Sequence, residues 1–327
     1  MNRTAIRLAV ILAAAVVVAQ ALLVPLFVAP AANLGPRDLP VAVAGPAQAT
    51  AAITAKLQSE EGAFTITQAS DGAAADQLIK DRDVYGAFVV TPTGLEVHIA
   101  PAASPTVAQL FTAAAQEAGA GQQVTMVTVV PLPVDDPRGT GFVSGFLPLL
   151  LTGMLAGILL VVLVAVPRAR ILGVLGYAIG SGLVGTLILR DWLGVLAGTY
   201  WADAAAIGLI GLAASATVAG LGTVFGNPGI GLGALTVFLV GNPLSGVAGA
   251  PELLPQPWGE VGQHLPAGAA ATLMRSVAFF GGNGGAYSMW VLVVYAVGGL
   301  ALIALRKAPR PVPAAQPAPD REPAPTR

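Results

Sequence analysis

Hydrophobic and polar positions divide this chain into blocks of unlike texture. Behind Arg3 and Arg7, Leu8 to Gly35 run without a charge. Such a run exceeds the roughly 20 apolar residues that cross a bilayer as a helix. A cleaved leader is the rival reading, with Ala29-Pro30-Ala31 as a loose cleavage site. The stretch is longer than the roughly 7–15 apolar residues of a leader core, so a retained span is expected. Gly139 to Val166, Ile171 to Leu189 and Tyr287 to Leu305 are further uncharged blocks. Ala204 to Pro251 is long enough for two crossings about the turn Gly226-Asn227-Pro228-Gly229. The pattern predicts six spans.

Residues 37–138 have a different rhythm. LPVAVAG (39–45), FTITQA (64–69), VYGAFVVT (84–91), GLEVHIA (94–100) and QVTMVTVV (123–130) read as strands, rich in β-branched and aromatic residues. AQATAAITAKLQSEE (47–61), DGAAADQLIKDRD (71–83) and SPTVAQLFTAAAQEAGA (104–120) read as helices. The last opens on a serine cap with proline at the first helical position. The order βαβαββαβ predicts a compact α/β domain that folds by itself. The fold class is therefore an α-helical integral membrane protein with six transmembrane helices and an inserted extracytoplasmic α/β domain. Its parts are an N-terminal span (1–36), the α/β domain (37–138), a five-helix membrane part (139–306) and a Pro/Ala-rich tail (307–327) expected to be disordered.

One block fits neither texture. Asn242 to Pro266 is punctuated by proline and carries only Glu252 and Glu260 as formal charges. Pro257 can open a short helix from Trp258 to Leu265, and Ala267 to Phe280 can form another. Residues 249–286 are thus expected as an interfacial loop of half-helices. It either anchors passively or forms an outer gate from Glu252, Trp258, Glu260, His264 and Arg275.

Composition sharpens this. The chain has 327 residues, 55% hydrophobic and only 10% charged, where a soluble domain carries about 25%. A net charge of -1 gives no electrostatic case for nucleic acid. Absence of cysteine excludes disulfides and thiolate chemistry. The spans hold no Asp, Glu, Lys, Arg or His, which argues against proton coupling or ion conduction. Elsewhere no catalytic, cofactor or metal set stands out. Asp135-Asp136 reads as a turn, Asp81-Arg82-Asp83 as a solvated helix end, and His98 with Glu96 as a surface pair. Glycines four apart, Gly153/Gly157, Gly176/Gly180, Gly222/Gly226 and Gly229/Gly233, suit close helix packing or a dimer seam.

LPVAVAG after the first span, DVYGAFVV and ASPTVAQLFTAAAQ in the domain, DDPRGTGFVSGFLPLL entering the second span, and NPLSGVAGAPELLPQPWGEVGQHLPAGA before the last carry a resemblance. The chain resembles permeases of the type-2 ABC exporter family, in particular small actinobacterial members related to the phage infection protein (Pip) group. The resemblance implies a homodimer, surrounded by membrane lipids, that exports a hydrophobic or amphiphilic substrate with a separate cytoplasmic ATP-binding subunit. No P-loop of the form GxxxxGK[ST] occurs in this chain, so ATP hydrolysis would lie elsewhere. The turn Pro167-Arg168-Ala169-Arg170 is the best placed to receive an ATPase, with Arg168 and Arg170 pairing to its carboxylates. The alternative is a membrane-anchored envelope surface protein whose outer domain binds a phage or cell-wall component.

Short-loop charge sets the orientation. Arg3, Arg7, Arg168, Arg170, Arg306, Lys307 and Arg310 fall on one side, and Arg37, Arg138, Arg190 and Arg275 on the other. Both termini are therefore expected in the cytoplasm. In the cysteine-free background, single cysteines at Ser70 and Thr199 should react with a membrane-impermeant maleimide in intact cells, and one at Ala308 should not. Labelling at Ala308 alone would invert the topology.

Overall fold

A computed structural model describes residues 3–118 and 124–306. The Pro/Ala-rich tail 307–327, with Lys307 and Arg310, lies outside the described residues. Helix α1 (Arg3–Ala32) is one continuous apolar rod, with Pro25 and Pro30 in its last turns. None of its most apolar window is buried inside the molecule.

The sheet domain comprises β1 (Leu39–Ala44), α2 (Ala47–Ser59), β2 (Phe64–Ala69), α3 (Gly72–Asp81), β3 (Gly86–Thr91), β4 (Gly94–Ile99), α4 (Pro105–Ala118) and β5 (Val124–Thr128). The five strands lie in the order β2-β1-β3-β4-β5. Only the β3–β4 hairpin is antiparallel. Local chemistry explains the boundaries. Asp71 caps α3 by accepting from the Ala74 N–H at 2.8 Å. Arg82 ends α3 in the left-handed conformation at φ 65. Ser104 accepts from the Val107 N–H at 3.1 Å and Pro105 takes the first turn of α4.

Alternation along the strands gives the sheet two apolar faces. Leu39, Val41, Phe88, Val97 and Ile99 meet α4 through Val107 and Phe111 on one face. Ala42, Ala44, Ala87 and Val89 meet α3 through Ala75 and Ile79 on the other.

The helical part comprises α5 (Thr140–Leu163), α6 (Pro167–Thr186) with a π turn to Trp192, α7 (Tyr200–Phe225), α8 (Asn227–Ala234) with a π turn to Leu239, α9 (Trp258–Gln263), α10 (Pro266–Phe280) and α11 (Ala286–Leu305). Helix α7 is the axis, packed against α5, α6, α8, α10 and α11. Its Ala, Gly, Ser and Thr residues let neighbours approach to backbone distance. A methyl group at Gly299 of α11 would sit 2.3 Å from the Ala216 carbonyl, and one at Gly157 of α5 would sit 2.7 Å from the Ser215 oxygen. The Gly176/Gly180 pair has no such neighbour within 4 Å.

Among the described residues five helices are long and apolar enough to cross a membrane: α1, α5, α6 with its π turn, α7 and α11. Together with the small sheet they make a mostly helical molecule of membrane-protein type. The expected fifth of six spans is instead the short apolar stretch Asn227–Leu239. At 1.5 Å per residue it reaches about 20 Å, less than the ~30 Å of a bilayer core.

The proline-punctuated block comes next in the chain, and it is no passive surface loop. Ala250 and Leu253 are buried in the same core as Phe88, Val97 and Phe111. Phe280, at the end of α10, is buried with Ala87, Val89 and Ile79. One continuous segment therefore grips the sheet domain from both faces. The domain core is not closed within residues 37–138, which alters the expectation of an autonomous unit. Main-chain bonds reinforce the joint: the Gly35 N–H donates to the Leu253 oxygen at 3.0 Å, and the Arg37 N–H to the Glu252 oxygen at 2.9 Å. Leu253→Ala should cost about 2–4 kcal/mol through the cavity it leaves, whereas Leu253→Met should cost less than about 1.5 kcal/mol. Thermal unfolding of the detergent-purified full chain checks both.

Candidate functional site

Where the sheet domain meets the bundle, the joint leaves a cavity of about 690 Å³. Arg37, Asp38 and Pro40 wall it from the start of β1, and Arg82, Val84 and Tyr85 from the α3–β3 link. Glu252, Gln256, Glu260, Gln263 and His264 come from the loop and α9, and Tyr287 and Ser288 from the start of α11.

Its polar groups are ordered by one another. The Tyr85 hydroxyl donates to Glu252 Oε2 at 2.8 Å. Burial, and then the negative charge of Glu252, raise the Tyr85 pKa well above that of a free phenol. Tyr85 therefore stays a donor and holds the carboxylate in place. Arg82 lies over the Phe280 ring at 5.3 Å and donates to the Thr272 oxygen at 3.2 Å. Burial lowers its pKa, and the nearby Tyr85 and Glu252 offset part of that. Arg37 donates to the main-chain oxygens of Asn33, Gly35 and Leu253 at 2.9, 3.0 and 2.8 Å. His264 Nδ1 and the Tyr287 hydroxyl are hydrogen-bonded.

A second cleft of about 560 Å³ adjoins this cavity on the α1 side. Leu22, Pro25, Leu26, Ala29 and Pro30 of α1 form one wall, and Leu244, Pro255 and Trp258 the other. Arg37 borders both spaces.

Of the residues expected to form an outer gate, Glu252, Glu260 and His264 line the cavity, and Trp258 faces the cleft instead. Arg275 is at neither place. It is buried at the loop's rear, donating to the Val247 and Gly249 oxygens at 2.9 and 3.2 Å, with its guanidinium over the Phe142 ring at 4.8 Å. Its Nε has no partner among the described residues. Desolvation, and then the charge of Arg82, lower its pKa to about 10. Arg275 is thus a strut that ties the loop to α10.

Three other expectations are revised. Arg168 is exposed, but Arg170 turns inward, donating to Val164 and Val161 oxygens at 2.6 and 3.0 Å and to Thr223 Oγ1 at 2.8 Å. It satisfies the free carbonyls at the end of α5. His98 is buried, and besides Glu96 at 3.2 Å it meets Asp76 of α3 at 2.6 Å, so the pair is an internal clamp between α3 and β4. Arg82 is no solvated helix end, because its side chain runs under the domain to Thr272 and Phe280. Asp136 is a turn residue, as expected, and its carboxylate also accepts from the Gly141 and Phe142 N–H groups at 3.0 and 2.9 Å, capping α5.

No local sequence pattern marks Arg37, Arg82, Tyr85 and Tyr287 as neighbours in one site. One signal for them existed. Glu252 stands between Pro251 and Leu253 in an apolar block, and a carboxylate there needs a donor from elsewhere.

Compared with protein-family models, with curated proteins and with solved structures, the chain matches none. Arg275→Met should lower stability by about 1–3 kcal/mol for each buried carbonyl left unpaired. The readout is earlier thermal unfolding of the purified protein. Unchanged melting would mean that other donors serve the Val247 and Gly249 oxygens.

Proposed function

We propose that the chain is the membrane-spanning subunit of an ABC-type exporter, moving a hydrophobic or amphiphilic substrate with a separate ATPase chain. In this reading the sheet domain lies outside the cell and both termini lie inside. Six segments then cross, with Asn227–Leu239 reaching the outer surface through the loop after it. Two copies pair in the membrane. The chain itself is not an enzyme.

The observation that carries the reading is the cavity under the sheet domain. It is walled by half-helices that stop short of crossing, α9 and α10, and by the domain clamped above them. Broken helices at membrane depth are tolerated where they are buried or border a polar space. Such a space at the outer end suits release of a cargo that is part polar.

A second reading, an anchored envelope surface protein, is favoured by the opposite end. Only Val164, Ala165 and Val166 separate α5 from α6, and Arg170 is committed internally. So short a link gives a cytoplasmic partner little to hold beyond Arg168. The two readings separate by experiment. Under the exporter reading an ATPase co-purifies from native membranes, and Arg168→Glu releases it while membrane insertion stays normal. Recovery of the wild type without any ATPase, under conditions that keep the membrane protein intact, would replace the exporter with the surface protein.

A further inference from the structure

The cavity and the adjoining cleft form two chambers that share one residue, and carboxylates line only the cavity. Apart from Asn33 and Arg37 the cleft is lined by Leu, Pro, Ala and Trp side chains, and its α1 wall, Leu22 to Pro30, belongs to the last turns of a span-length helix. That wall therefore lies at the depth of lipid hydrocarbon. Arg37 stands a few residues beyond the end of α1, at the depth of lipid headgroups. Beyond Arg37 lies the polar cavity. The partition is one short stretch: Pro255 and Trp258 face the cleft, and Gln256 and Pro257 face the cavity. Trp258 is exposed, as an amphipathic ring at a membrane interface is.

The charges are also ordered. Arg37 makes three side-chain hydrogen bonds to main-chain oxygens, out of the five donors of a guanidinium. It brings its positive charge to the boundary. On the cavity side, away from the cleft, Asp38, Glu252 and Glu260 bring three carboxylates. The other arginine there, Arg82, is turned onto the Phe280 ring and the Thr272 oxygen. From membrane to cavity the order is apolar, positive, negative.

We propose that the two chambers together hold one zwitterionic phospholipid of the phosphatidylethanolamine type, drawn from the surrounding bilayer. An acyl chain lies in the cleft against Leu26, the phosphate meets Arg37, and the ammonium enters among Asp38, Glu252 and Glu260. The order of charges in that headgroup matches the order of charges in the protein. An anionic lipid with a neutral alcohol head has no ammonium to offer these carboxylates. Both spaces fall in the roughly 300–1,000 Å³ range of small-molecule sites. The proposal deepens the exporter reading by naming its cargo class, and it rests on that reading only for the lipid's fate, not for its binding.

The test uses the full-length protein, purified in mild neutral detergent from membranes that hold both phosphatidylethanolamine and phosphatidylglycerol. Native mass spectrometry counts the lipids retained. Wild type should keep phosphatidylethanolamine over phosphatidylglycerol by about fivefold, the worth of one partly exposed charge contact. Leu26→Trp, which fills the cleft, should lose both lipids. Glu260→Lys should reverse the preference. Glu260 is exposed and its side chain makes no hydrogen bond or salt bridge among the described residues, so folding is not at stake. Monodisperse elution and an unchanged melting temperature identify folded variants. Retention without headgroup preference, or retention that survives Leu26→Trp in folded protein, would overturn the proposal. Binding needs no ATPase, so loss of the lipid leaves the exporter reading with another cargo, and loss of the ATPase leaves the lipid site intact.

Discussion

Leu253 on one face of the sheet and Phe280 on the other hold the two halves of the molecule together, and both come from a single segment between α8 and α11. Burial of apolar side chains is the dominant favourable term in folding, and here it joins two bodies whose sequences look independent. Everything polar at the seam is arranged around that grip. Tyr85 can reach Glu252 because Leu253 is anchored beside it, and Arg82 can reach Thr272 because Phe280 is held under α3. The cavity is the space left between the two anchor points.

The arginines of the molecule's bends share one habit. Arg37, Arg82, Arg170 and Arg275 each donate to main-chain oxygens, and none makes a salt bridge to a carboxylate among the described residues. Helix ends and irregular loops leave carbonyls without partners, and burying them unpaired is costly. A guanidinium carries several donors in a fixed fork and can serve two or three such oxygens at once. These side chains therefore substitute for regular secondary structure where the chain has to bend. Their charge is partly incidental to that work.

Much of the fold was legible in the sequence, for physical reasons that differ by region. Strands and helices of the sheet domain announce themselves through periodicity and caps such as Asp71 and Ser104. Long uncharged runs announce α5, α6, α7 and α11. The run from Ala204 to Pro251 misled, because hydropathy records composition and not where a helix stops, so Asn227–Leu239 came out short. The candidate site was half legible. Glu252, Glu260 and His264 stood out as rare polar residues in an apolar block. Their neighbours Arg37, Tyr85 and Tyr287 did not, because nothing local in a sequence ties residues so far apart. Arg275 misled for the opposite reason: a charge in a loop reads as exposed, and its partners are carbonyls that carry no sequence signature.

Helix α7 has one more consequence. Its neighbours touch it backbone to backbone, at Gly299 on one flank and Gly157 on another. An axis filled in this way has no lumen. The free space between elements lies at the edge of the bundle, where the last turns of α1 face Leu244 and Trp258 across the cleft.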